Sequence, residues 1–209
     1  MPTSTFFNLS QAKQQRLLDA AHQEFSRVSL HEASISKIVL AAGIPRGSFY
    51  QYFTDKEDLY YCYSDYLRQH TKNSLLDSLK ATEGDLFAAF RRYFTTLTAE
   101  FINGPNAAFY KNMFLNMTYK NSRKVALSTQ MKHAHHGHSD FYANVDFSRL
   151  KISTAHELGM LMHILMSALF QTLGSYYLRQ QHDEPVTVAQ LDQEFEQTLG
   201  WLEHGVAIN

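Results

Sequence analysis

Residues 34–58, SISKIVLAAGIPRGSFYQYFTDKED, constrain the fold more than any other stretch of the 209-residue chain. Their local chemistry reads as two short helices around a tight turn, with a third helix beginning at the end. Ser34 is placed to cap the first helix through its hydroxyl. Ile35, Ile38, Val39 and Ala42 fall at helical spacing and make one apolar face. Gly43 ends that helix, where a left-handed backbone is cheapest without a Cβ. Ile44 fills the turn. Pro45, with its pre-set φ and no N–H to lose, suits the first turn of the next helix. There Phe49 and Phe53 share a buried face four residues apart, which turns Arg46, Gly47, Ser48, Tyr50 and Gln51 outward. Asp55 is a suitable N-cap for the third helix, with Glu57 and Asp58 in its first turn.

This pattern is a helix-turn-helix, and the outward face of its second helix carries groups that suit DNA. Arg46 can pair with guanine in a bidentate fashion or clamp a phosphate. Gly47 lets the backbone approach the duplex. Ser48 and Gln51 are hydrogen-bonders to bases or phosphates, and the hydroxyls of Tyr50 and Tyr52 suit phosphate oxygens. Lys56 stands at a helix N-terminus, where an anion is already favoured. The rival reading is a hairpin used only for packing, which has no need of an exposed Arg-Gly-Ser-x-Tyr face.

At this point the sequence resembles the tetracycline-repressor (TetR) family of bacterial transcription regulators. The resemblance is carried by Ile38, Ala41-Ala42-Gly43-Ile44, Arg46-Gly47-Ser48-Phe49-Tyr50, Tyr52-Phe53 and Lys56-Glu57-Asp58-Leu59, and reaches back through Leu17, Leu18, Ala20-Ala21 and Phe25. Two places depart from it. Pro45 replaces a small hydroxyl cap, and Val39-Leu40 replaces a small and then a polar residue, leaving Leu40 as an expected exposed apolar side chain. The resemblance implies an all-α fold. An N-terminal three-helix domain with the helix-turn-helix (1–54) is joined by a long linking helix to a C-terminal helical ligand-binding and dimerisation domain (55–209). It also implies DNA contacts from Ser34, Ser36, Lys37, Arg46, Gly47, Ser48, Tyr50, Gln51, Tyr52 and Lys56.

Charge agrees with a local rather than a global attraction to DNA. The whole chain carries −1. Residues 1–54 hold five Lys and Arg against three Asp and Glu, a net +2, whereas the stretch from Gln180 onward holds six acids and no Lys or Arg. The acidic end should sit far from a phosphate backbone. Cys62 is the only cysteine, so no intrachain disulfide is available, and its bland reading is a small buried hydrophobe. The start MPTSTFFNLSQ lacks the basic and apolar segments of a signal peptide, which points to the cytoplasm.

Along the chain, residues 2–9 read as a short arm whose Phe6, Phe7 and Leu9 pack back on the domain. With no basic residue, the arm is ill suited to the minor groove. A helix then runs to about Arg27. From Asp55 the helical pattern continues unbroken to about Lys80, a length of about 35–40 Å, and reads as a mechanical link between domains. Gly84 opens the next helix, which reaches about Asn103. Residues 106–119 are helical, and the run from His156 to Leu178 is apolar enough to raise a membrane span as a rival. His163, Gln171, Glu157 and Arg179 in or beside it favour the centre of a helical bundle instead, so no membrane partner is expected. An amphipathic helix follows Pro185.

No glycine-rich phosphate loop, nucleophile elbow or HExxH motif is present, so the chain does not read as an enzyme and no cofactor is expected. His133, His135, His136 and His138 form the one cluster of metal-ligand character. Its polar-loop reading is favoured, with a metal-responsive regulator or metal-binding helical protein as the alternative. Aromatic and methionine side chains dominate the middle of the chain. Most read as core, but such adaptable groups also line pockets for apolar ligands. The family resemblance implies an effector pocket between these helices. Its expected lining is Phe90, Phe94, Glu100 and Phe101 from one helix, Phe109, Tyr110, Met113, Phe114 and Met117 from the next, and Met162, His163, Met166, Phe170 and Gln171 from the apolar run. It also implies a homodimer, with Leu158, Leu165, Leu169 and Leu173 meeting Leu191, Phe195, Leu199 and Leu202 across a two-fold axis, and a palindromic DNA operator.

Overall fold

The computed structural model describes residues 2–71, 73–116, 138–184 and 186–206, and the regular elements among them are all helical. The chain divides into two compact units, residues 1–70 with 100–125 and residues 71–99 with 126–209. The boundary expected at 54/55 falls inside the first of these.

The first unit begins with a single turn, α1 (Ser4–Phe7), followed by α2 (Gln11–Arg27), α3 (Ile35–Ala42), α4 (Arg46–Tyr52) and α5 (Lys56–Thr71). On α2 the apolar positions Leu17, Leu18, Ala21 and Phe25 recur at helical spacing and are buried. Asp55 caps α5 as expected, its carboxylate accepting from the Asp58 N–H at 2.7 Å. A π-helical turn, Ala99–Asn103, leads to α8 (Ala107–Leu115). That turn needs glycine at its close. The Gly104 N–H donates to the Glu100 carbonyl at 3.0 Å, and a Cβ there would stand 2.2 Å from the same oxygen. Asn112 of α8 caps the end of α2, its Nδ2 donating to the carbonyls of Phe25 (3.0 Å) and Ser26 (2.9 Å). Beside it runs a partly buried polar chain. His22 Nδ1 lies 2.8 Å from the Tyr63 hydroxyl, which donates to Asn106 Oδ1 at 2.9 Å, and Asn106 Nδ2 donates to Glu100 at 3.2 Å. Burial, then the nearby Tyr66, Asp19 and Glu100, hold the Tyr63 phenol well above its usual range, so it stays a donor.

The linking helix is shorter than its apolar pattern suggests. In place of one helix to Lys80 there are α5, ending at Thr71, and α6 (Ser74–Ala81), with Asn73 as the N-cap of the second. Thr71, Asn73 and Ser74 lie at this junction. Short polar and β-branched side chains compete with the helix for backbone hydrogen bonds and end it without proline or glycine.

In the second unit α6 packs on α7 (Leu86–Thr98), followed by α9 (His138–Ala143), a 3-10 turn (Phe147–Arg149), α10 (Ala155–Gln181) and α11 (Val188–His204). Gly84 closes α6 rather than opening α7; the N-cap of α7 is Asp85, whose carboxylate accepts from the Ala88 N–H. Both long helices start with capping boxes, Thr154 with Glu157 and Thr187 with Gln190. The Ser153 N–H, then the Thr154 hydroxyl and N–H, donate to the Glu157 carboxylate and hold it below its usual range. Phe94 of α7 stacks on Phe195 of α11 at 3.9 Å, and Arg91 joins Glu196 and Glu203, each at 2.8 Å.

This packing corrects the expected dimer surface. Leu158, Leu165, Leu169 and Leu173 of α10 and Leu191 and Leu199 of α11 are each 0% exposed, and Phe195 is 2% exposed. They have no surface left to give a second chain. Of that set only Leu202 is exposed. The apolar side chains left open are Met160, Ile164, Phe170 and Leu178 on α10 and Trp201 and Leu202 on α11. By length and composition α10 is apolar enough to cross a membrane, but its buried leucine stripe serves the helices of its own unit.

Gly84 supplies a direct stability test. Its φ is +85°, and a Cβ would stand 2.7 Å from the Asn144 carbonyl oxygen and 2.8 Å from the Asp146 nitrogen. Gly84→Ala is expected to destabilise the protein by about 2 kcal/mol or more in urea unfolding. Gly200→Ala is the control: its Cβ would meet nothing within 4 Å, inside a helix. It is expected to be neutral or stabilising by up to about 1 kcal/mol.

Candidate nucleic-acid interface

The turn between α3 and α4 forms as its residues require. Gly43 takes φ +64° and ψ 39°, and its N–H and that of Ile44 close back on the carbonyls of Leu40 and Val39. Ile38, Phe49 and Phe53 are each 0% exposed. Burying one side of α4 this completely leaves Arg46, Gly47, Tyr50 and Gln51 exposed and Ser48 and Tyr52 half-buried.

The helix entrance differs from expectation. Ser34 is the N-cap of α3, but its hydroxyl makes no capping bond. The Ser34 N–H itself donates to Glu24 of α2, at 2.8 Å. Glu24 is buried, held by Arg27 at 2.8 Å. Pro45, likewise, is the residue before α4 and makes no side-chain cap.

Of the residues expected at DNA, Ser36, Lys37 and Arg46 are exposed, and Arg46 Nη1 donates to Ser36 Oγ at 2.7 Å. That bond takes one of the five guanidinium N–H donors and holds the side chain against α3. At Gly47 an added Cβ would meet nothing within 4 Å, so the packing of the chain itself does not demand glycine there. Leu40 is 82% exposed on the same helix as Ser36, one turn further along. Lys56 does more than offer a charge. Its ammonium donates to the carbonyls of His31 and Ala33, the latter at 3.0 Å, and so fixes the loop entering α3. Two residues that local reading missed, Glu24 and Thr3, also act on these helices. Thr3 bonds to residues 48 and 49 positions away, and no local signal announces a pairing of that range.

Residues of the expected pocket lining occur in both units. In the first, Phe101 stacks on Tyr110 at 3.9 Å, and Phe109, 0% exposed, packs its ring against Tyr60 and Tyr63. Met113 and Phe114 are half-buried, and Glu100 accepts from Asn106. In the second, Phe90 and Phe94 are buried, Met162 and Met166 half-buried, and His163, Phe170 and Gln171 exposed. Met117, His133, His135 and His136 lie outside the described residues, and His138 begins α9. A cleft of about 310 Å3 in the second unit is lined by Arg91, Phe94, Thr95, Asp192, Gln193, Phe195 and Glu196. Burial pushes the Asp192 carboxyl up.

Known proteins match this arrangement at both ends. A family model described as "Bacterial regulatory proteins, tetR family" matches residues 17–61, and one described as "Tetracyclin repressor-like, C-terminal domain" matches residues 85–206. The chain belongs to the tetracycline-repressor family. Residues 17–61 thus carry the helix-turn-helix that this family's N-terminal model describes. Over 72 residues it is 40% identical to the uncharacterized HTH-type transcriptional regulator YdgC of Bacillus subtilis (strain 168), covering 32% of this chain and 37% of the relative. Over 71 residues it is 37% identical to the uncharacterized HTH-type transcriptional regulator YvdT of the same organism, covering 34% and 37%. The matches thus span little more than a third of these relatives' length. A tetR-family transcriptional regulator from Streptomyces coelicolor has a similar fold, with TM-score 0.58 and 20% identity, covering 93% of this chain and 81% of that one.

Proposed function

We propose that this TetR-family protein is a cytoplasmic homodimeric repressor that leaves a palindromic operator when an apolar small molecule binds. The observation that carries the DNA half is the recognition helix α4, whose buried Phe49 turns Arg46, Gly47, Tyr50 and Gln51 to solvent. Arg46, Gly47, Ser48, Tyr50, Gln51 and Tyr52 would then meet the duplex, with Ser34, Ser36, Lys37 and Lys56 near the phosphates. A two-fold pair of such helices reads two half-sites one turn apart. The exposed Met160, Ile164, Leu178, Trp201 and Leu202 offer an apolar surface for the second copy. The stacked Phe101 and Tyr110 support an aromatic or lipophilic effector. Asn112 and the Tyr63–Asn106 bond tie α8, beside these rings, to α2 and α5, a path by which an effector can favour one arrangement of the DNA-binding helices over another.

The test is fluorescence anisotropy on DNA from upstream of the protein's own gene, across a salt series, with scrambled DNA as control. Nanomolar binding by a dimer, steep in salt and selective over scrambled DNA, is the expected result. If duplexes selected from a random library also show no preference over scrambled DNA, the repressor reading fails.

A further inference from the structure

The family match begins at residue 17, so the arm at residues 2–9 lies outside it. The arm carries no Lys or Arg with which to hold a phosphate. It nevertheless folds onto the recognition helix. At seven residues α4 is too short to be stable alone, and like any helix it leaves its last carbonyls without intrahelical donors. The Phe53 N–H satisfies the Phe49 carbonyl. Thr3 satisfies two more: its hydroxyl donates to the Gln51 carbonyl at 2.6 Å and its N–H to the Tyr52 carbonyl at 3.0 Å. Phe6, 3% exposed, sets its ring 4.9 Å from that of Phe53, while Phe7 stays 62% exposed. The far end of the arm is tied to α2, where Gln14 Nε2 donates to the carbonyls of Phe7 (3.2 Å) and Leu9 (2.9 Å).

We infer that Thr3 is a positioning residue for DNA reading: through the carbonyls of Gln51 and Tyr52 it fixes the C-terminal end of the recognition helix. The inference rests on α4 being the helix that reads DNA. Tyr50, Gln51 and Tyr52 all lie in the last turn of α4. A last turn with unsatisfied carbonyls frays, and fraying moves these side chains out of register with the groove. Non-specific binding depends on phosphate charge and tolerates such movement; base readout does not.

The experiment uses the full-length protein and a duplex selected by the wild type from a random library, with scrambled DNA as control. Thr3→Val deletes the hydroxyl donor while keeping the side-chain shape and the backbone N–H. It is expected to bind the selected duplex about three- to tenfold more weakly, as for loss of one hydrogen bond. Scrambled-DNA binding should be unchanged and Tm should stay within about 2 °C. Thr3→Ser, which retains the hydroxyl, should restore the selected-duplex affinity. Equal binding of the selected duplex by Thr3→Val and the wild type overturns the inference, as does an equal loss on scrambled DNA or a failure of Thr3→Ser to restore. A wild type that selects no duplex removes the DNA-reading premise, and the inference with it; that outcome is distinguishable because it appears before any variant is made.

Discussion

Arg46→Ala is expected to weaken binding to the preferred duplex by about 1–3 kcal/mol and to relax sequence preference at the positions Arg46 reads. The side chain is exposed at the start of α4, and its bond to Ser36 Oγ at 2.7 Å holds the guanidinium beside the entrance of α3. A pre-set planar fork loses less freedom on meeting guanine or phosphate than a free one. The discriminating comparison is Lys56→Ala. The Lys56 ammonium already serves the carbonyls of His31 and Ala33, so its removal loosens the loop that leads through Ser34 into α3, the helix that carries Ser36 and Lys37. That variant should weaken all sequences alike and flatten the salt dependence. Anisotropy titrations over a panel of single-base variants check the pair. Identical profiles for the two variants would sink this division of labour.

Phe49→Ala is expected to have the largest effect on stability, about 3–5 kcal/mol, as for other wholly buried phenylalanines. Phe49 is 0% exposed and lies with its ring 5.6 Å from Phe53, which is also wholly buried. It sits on a seven-residue helix with few other apolar anchors. Tyr50, the next residue, is 49% exposed. Tyr50→Ala should change stability by about 0.5 kcal/mol or less while reducing DNA affinity. Urea unfolding followed by circular dichroism, together with anisotropy, separates the two. A Phe49→Ala protein as stable as the wild type would show that α4 is not anchored through this ring.

Short-range chemistry determined much of this protein before any tertiary contact was considered. Helical spacing of Leu17, Leu18, Ala21 and Phe25, the left-handed Gly43 and the Asp55 cap depend on residues within four positions of one another. Sequence displays such distances directly. The two sides of α4 follow for the same reason, and with them the residues available to DNA.

Tertiary structure decided what depends on long-range pairing. Glu24 accepts from the Ser34 N–H at the entrance of α3 because the fold brings α2 beside it. Thr3 reaches Gln51 across 48 positions, and Lys56 reaches His31 across 25. The division of α10 is the clearest case. Its apolar residues surround the helix, so periodicity marks no single face as the one that meets a partner. Packing beside α7 and α11 buries Leu158, Leu165, Leu169 and Leu173 within one chain and leaves Met160, Ile164 and Leu178 outside. Composition set how much apolar surface α10 carries; only the neighbours of that helix decided which part remained exposed.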